Sequence, residues 1–145
     1  MVDMPIKVML VEDDEPMVKE FKDLFEKLPN FILAGVASGQ TEALEMMKKD
    51  PPSVAIVDIS LREGDGTGLI EEIASDKHLP FRPCIVVITA IQSDVVHEKL
   101  YEMGVNYRFD KDEPNFGAGL IAEFLIQIED SLPDRHHLHS FSFFE

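Results

Sequence analysis

Apolar runs alternating with stretches of helical periodicity constrain this 145-residue chain more than any other feature. Ile6-Lys7-Val8-Met9-Leu10-Val11, residues 31–37, Val54-Ala55-Ile56-Val57, Cys84-Ile85-Val86-Val87-Ile88 and residues 105–109 read as strands. Met17, Val18, Phe21, Leu24, Phe25 and Leu28 recur every three or four positions and stop near Pro29-Asn30, the pattern of an amphipathic helix. Residues 41–49 carry Ala43, Leu44, Met46 and Met47 as a second helix, and Leu69, Ile70, Ile73 and Ala74 mark a third. Val95, Val96, Leu100 and Met103 make a fourth, with Gly104 placed as its C-terminal stop. Residues 118–132, striped by Leu120, Ile121, Phe124, Leu125 and Ile128, make the fifth. Strands that are apolar throughout belong to a parallel sheet covered on both faces.

Right-handed crossovers between five βα units favour an α/β, flavodoxin-like (βα)5 three-layer sandwich, its parallel five-stranded sheet ordered 2-1-3-4-5. The expected organisation is one domain over residues 1–132 and a tail over 133–145. The formal net charge is −15, a field that repels phosphate backbones and anionic lipid, so neither nucleic-acid nor membrane binding is expected. No apolar run approaches the roughly 20 residues of a membrane span, and the N-terminus lacks the pattern of a signal peptide. The single Cys84 suits a reducing compartment, and a cytoplasmic location is expected.

In a parallel sheet every strand's C-terminal end lies on one edge, where ligands bind near the switch in strand order. Glu12 and Asp13 end the first strand, Asp58 ends the third, Thr89 the fourth, and Lys111 follows the fifth. Three carboxylates crowded at one edge are costly unless a cation neutralises them. Oxygen donors with room for water suit Mg²⁺. Each piece has an ordinary reading by itself: acids at a helix N-terminus, an Asp in a turn, a solvated Lys, a Thr chosen for strand propensity. Their joint placement on one edge favours chemistry.

VMLVEDDEPMV, IVDISLREGDG, VVITA and GVNYRFDK resemble, in order, the four signature segments of the response-regulator receiver domain, and the resemblance spans roughly residues 5–131. The resemblance implies that Asp58 is the phospho-accepting aspartate. It implies that Glu12, Asp13, Asp58 and the backbone carbonyl of Ser60 hold Mg²⁺, with Asp14 just outside that set. Thr89 matches the switch hydroxyl and Lys111 the lysine that contacts the phosphoryl group. The implied donor is a sensor histidine kinase, a phosphotransfer protein or a small phosphodonor, and the implied output is a change of protein contacts with a downstream protein target. Such a protein is a signalling acceptor and not an enzyme in the ordinary sense, beyond catalysing its own phosphorylation and dephosphorylation. Ser60 and Ile91, two residues beyond Asp58 and Thr89, are placed to line the site and tune the phosphate's lifetime.

Three positions depart from the family pattern. Asp112 follows the lysine where Pro is common, Arg108 stands where the switch aromatic is usual, and Arg62 stands where the loop after the acceptor usually has Pro. A non-phosphorylated receiver fold acting as an interaction module is the alternative that Arg108 and Asp112 leave open. A flavin-binding flavodoxin is disfavoured, because Glu12-Asp13-Asp14-Glu15 would repel a phosphate. A haloacid-dehalogenase-type phosphatase is disfavoured because it needs an Asp where Ser60 stands. The tail's His136, His137 and His139 make a weak metal motif, whereas Phe141, Phe143 and Phe144 suggest packing on the domain or on a homodimer mate.

Overall fold

A computed structural model describes residues 4–60, 66–75 and 82–132. The tail, with its His and Phe residues, lies outside the described residues, as does Arg62. The elements run β1 (Ile6–Val11), α1 (Glu15–Phe25), β2 (Phe31–Ala37), α2 (Gln40–Lys49), β3 (Val54–Asp58), α3 (Gly66–Ser75), β4 (Cys84–Thr89), α4 (Asp94–Glu102), β5 (Tyr107–Asp110) and α5 (Ala118–Gln127). The five strands form one parallel sheet in the order β2-β1-β3-β4-β5, as expected. No helix among the described residues is long and apolar enough to cross a membrane.

Two apolar layers sandwich the sheet. On one face Val8, Leu10, Ile56, Val86 and Ile88 pack with Phe21 and Phe25 of α1 and Ile121 and Leu125 of α5. On the other, Met9, Val11, Val57 and Val87 pack with Met47 of α2, Leu69, Ile70 and Ile73 of α3, and Leu100 of α4. Every residue of β3 and β4 is buried, which is why neither strand alternates polar with apolar. Burying a Leu, Ile, Val or Phe side chain contributes about 1.5–3 kcal/mol, so two opposed layers anchor the strand ends rigidly.

Several boundaries differ from the sequence reading, each for a local reason. Gly66 and Gly68 look like loop glycines but open α3. A Cβ on Gly66 would lie 2.4 Å from the Asp58 carbonyl oxygen and 2.7 Å from Ile59 Cα, so glycine lets the helix start against the end of β3. The last strand begins at Tyr107, and not at Val105, because the Asn106 side chain takes the place of backbone: its Oδ1 accepts the Ile85 N–H at 2.9 Å. α5 stops at Gln127 and tightens into a 3₁₀ turn over Glu129–Ser131 before the buried Leu132. Gly104 follows α4 with φ of 101°, the left-handed stop expected of it.

Candidate functional site

Glu12, Asp13, Asp58, Thr89 and Lys111 all lie at the C-terminal edge of the sheet, where β1 and β3 are hydrogen-bonded neighbours. Glu12 follows the last residue of β1, and its backbone N–H still donates to Ala37 O of β2 at 2.9 Å. Glu12 and Asp58 are almost wholly buried, at 1% and 3% exposure, and Thr89 is fully buried. Ligand oxygens of Glu12, Asp13 and Asp58 all lie within 4.8 Å of one another. Asp14, by contrast, turns away to cap α1, its Oδ2 accepting the Met17 N–H at 3.2 Å.

A cation already sits against this cluster. Lys111 Nζ donates to Asp58 Oδ2 at 2.8 Å and to Glu12 Oε1 at 2.9 Å. The other carboxylate oxygens are held by backbone. Glu12 Oε2 accepts the Asp13 and Asp14 N–H groups at 3.0 and 3.3 Å. Asp58 Oδ1 accepts the Ser60 N–H at 2.9 Å. Each carboxylate is therefore oriented by both a main-chain donor and the same ammonium. Burial and the adjacent Asp58 carboxylate push the Glu12 carboxyl up to about 7, against the opposing pull of Lys111. Partial burial works against the charge on Lys111, yet hydrogen bonds to Asp58 and Glu12 outweigh it and hold its pKa above the ordinary lysine value.

Thr89 Oγ1 accepts the Ile91 N–H at 2.9 Å, which uses a lone pair of the hydroxyl and leaves its proton able to donate. The Lys111 N–H donates to Thr89 O at 2.8 Å, so the ends of β4 and β5 stay paired beyond the last strand residue. The Lys111–Asp112 peptide is trans. Tyr107 and Phe109 both pack edge-on against Phe124 of α5, at ring separations of 4.3 and 5.2 Å. Strand alternation then turns Arg108 to the opposite face, where its Nε is buried with no hydrogen-bond partner among the described residues.

Three residues with a bearing on the site escaped the sequence reading. Gln92 Nε2 donates to Asp110 Oδ2 at 2.6 Å, and Asp110 Oδ1 accepts the Asp112 N–H at 2.8 Å. His97, 8% exposed, directs Nε2 at Ile91 O at 2.7 Å; a carbonyl only accepts, so that nitrogen carries the proton. The Asp-Lys-Asp sequence is a recognisable turn signal, while nothing in the pattern marks Gln92 or His97.

A three-layer sandwich of order 2-1-3-4-5 with carboxylates, a hydroxyl and an ammonium at one sheet edge defines the receiver class of α/β proteins. The family model for the response regulator receiver domain matches residues 8–115, and the chain belongs to that family. Solved structures similar to it include the response regulator domain of CheB from Thermotoga maritima, at 18% identity over 85% of this chain and 95% of that one, with a TM-score of 0.72. Another is the phosphorylated cyanobacterial phytochrome response regulator RcpA, at 21% identity, 89% and 99% coverage and a TM-score of 0.69. A third is the BeF3-activated N-terminal receiver domain of RstA from Klebsiella pneumoniae, at 25% identity, 83% and 96% coverage and a TM-score of 0.66.

Proposed function

We propose that Asp58 is the phospho-acceptor of this two-component receiver domain and takes its phosphoryl group from a histidine kinase or phosphotransfer protein. The carrying observation is a buried Asp58 carboxylate held between the Lys111 ammonium at 2.8 Å and two further carboxylates, Glu12 and Asp13. In the transfer, an Asp58 oxygen forms the new O–P bond while the N–P bond of a phosphohistidine breaks. The imidazole nitrogen keeps the electron pair and is reprotonated by solvent. Lys111 sits where it stabilises charge on the phosphoryl oxygens, and the Ser60 N–H fixes the rotamer of the attacking carboxylate.

The donor set fits Mg²⁺: hard carboxylate oxygens close enough to share one ion, already drawing a cation in the form of Lys111. Glu12, Asp13, Asp58 and the Ser60 carbonyl would hold the metal, which supplies charge neutralisation during transfer. Thr89, donating its hydroxyl proton toward the new phosphate, would carry the change to the β4–α4 loop and so to a downstream protein. The phosphorylated state named for RcpA and the beryllofluoride-activated state named for RstA support this reading by analogy. On it the protein works in the cytoplasm, residues 1–132 form the receiver unit with 133–145 as its tail, and turnover is limited to the protein's own phosphate.

Beryllofluoride binding tests the reading. Calorimetry with Mg²⁺ should register saturable binding that Asp58→Asn abolishes. Binding that survives Asp58→Asn unchanged, or none in the wild type, would contradict it and leave the non-phosphorylated interaction module.

A further inference from the structure

We propose that Gln92 and Asp110 are positioning residues for Lys111, locking the β4–α4 loop to the turn that carries the lysine. The inference rests on the phosphoryl-acceptor reading above, because it concerns how the ammonium is placed for that reaction.

The Lys111 side chain reaches two oxygens at 2.8 and 2.9 Å through a flexible four-carbon stem, so placement of its backbone decides whether both contacts can be made together. Asp112 follows the lysine, and its N–H needs an acceptor that a proline there would not require. Asp110 provides it: Oδ1 takes that N–H at 2.8 Å, closing a turn around Lys111. The second oxygen of the same carboxylate takes the Gln92 amide at 2.6 Å. One side chain therefore spans from the turn to the neighbouring loop.

Gln92 is a firm anchor because the residue before it is held twice. The Ile91 N–H donates to Thr89 Oγ1 at 2.9 Å, and Ile91 O accepts from the buried His97 of α4 at 2.7 Å. Ser93, on its other side, caps α4 through Val96 N at 3.3 Å. The Gln92 hydrogen bond, followed by that from Asp112 N–H, also holds the Asp110 carboxyl below the usual range, keeping it an anion and a strong acceptor. A shift of the loop at Thr89 and Ile91 is thus passed to Lys111 through Gln92 and Asp110 as well as through the backbone bond from Lys111 N–H to Thr89 O.

The test uses the full chain with Gln92→Leu, Asp110→Ala and Asp110→Asn, phosphoramidate as donor, and intact mass to follow phosphoryl uptake. Thermal melts and Mg²⁺ titration calorimetry run alongside. Losing one positioning hydrogen bond should slow uptake roughly three- to tenfold in Gln92→Leu and more in Asp110→Ala. Mg²⁺ affinity, set by other side chains, should change less than twofold. Asp110→Asn keeps an acceptor for Asp112 N–H and an amide that can pair with Gln92, so it should restore most of the rate. Amide exchange at Asp112 should accelerate in Asp110→Ala alone. Normal rates in Gln92→Leu and Asp110→Ala beside a reactive wild type would overturn the latch while sparing the acceptor reading. Slowing that merely tracks a fall in melting temperature would also overturn it. A wild type that takes up no phosphoryl group would overturn the acceptor reading and this inference with it.

Discussion

Lys111 Nζ lies 2.8 Å from Asp58 Oδ2, joining residues 53 positions apart across the ends of β3 and β5. The same nitrogen touches Glu12, so a single ammonium keeps two buried carboxylates from facing each other uncompensated. Replacing Lys111 with Met keeps most of the stem and removes the charge. Breaking such a buried pair costs about 3 kcal/mol, and that loss of unfolding free energy should appear in urea melts of the metal-free protein. Saturating Mg²⁺ should recover a substantial part of it. A loss that Mg²⁺ leaves untouched would show that the carboxylates do not share a cation site.

Glu12 makes the metal-free fold sensitive to pH. Its carboxyl is raised from 4.5 to about 7 in the folded protein by burial and by Asp58. Between those values the folded state holds a proton that the unfolded chain has released, so this group's contribution to stability falls as pH rises through the window. The change is on the order of 2 kcal/mol from about pH 5 to pH 8. Glu12→Gln should flatten the slope, gaining on the wild type as pH rises. Parallel curves for the two proteins would contradict this account of the site's electrostatics.

Gly66 and Gly68 separate two kinds of glycine in one helix turn. A methyl group on Gly66 meets backbone at Asp58 and Ile59, which cannot yield, whereas on Gly68 it meets the end of the Gln40 side chain at 2.9 Å, which can. Gly66→Ala should cost roughly 1–3 kcal/mol by overpacking and disturb the Asp58 carboxylate. Gly68→Ala should fall within about 1 kcal/mol of wild type, its better helix propensity offsetting the crowding. Equal melting temperatures for the two variants would contradict the predicted contrast.

Glu20 of α1 caps a helix that has no side-chain cap of its own. Gly117 precedes α5, and the Ala118 N–H donates instead to Glu20 Oε2 at 2.5 Å. Glu20→Ala should cost about 1 kcal/mol, in the range of a lost N-cap, and raise amide exchange at Ala118. Glu20→Gln keeps the acceptor and should lie between the two. Unchanged exchange at Ala118 would remove the cap from the account.

The sheet order and the gathering of Glu12, Asp58, Thr89 and Lys111 at one sheet edge are legible from sequence because both rest on strong local signals. Apolar strands such as Val54–Asp58 and Cys84–Thr89 are buried on both faces, and a carboxylate or hydroxyl directly after such a run has one edge to occupy. What was hidden depends on partners distant in sequence. Gly66 reads as a loop residue until Asp58 O is placed 2.4 Å from its missing Cβ. The cap of α5 comes from a residue 98 positions away. Gln92 and Asp110 are surface polar residues of ordinary type, and only the folded loops bring them to 2.6 Å.

Covalent phosphoryl uptake at Asp58 is the most direct readout of the proposed chemistry. Incubation of the full chain with phosphoramidate and Mg²⁺, followed by intact-mass measurement, should show the added mass of one phosphoryl group. Mild reduction with borohydride and peptide mapping should then place the modification on Asp58. Asp58→Asn and removal of Mg²⁺ should each abolish the shift. A wild-type mass that never changes, or a label mapped to another residue and retained in Asp58→Asn, would contradict the account.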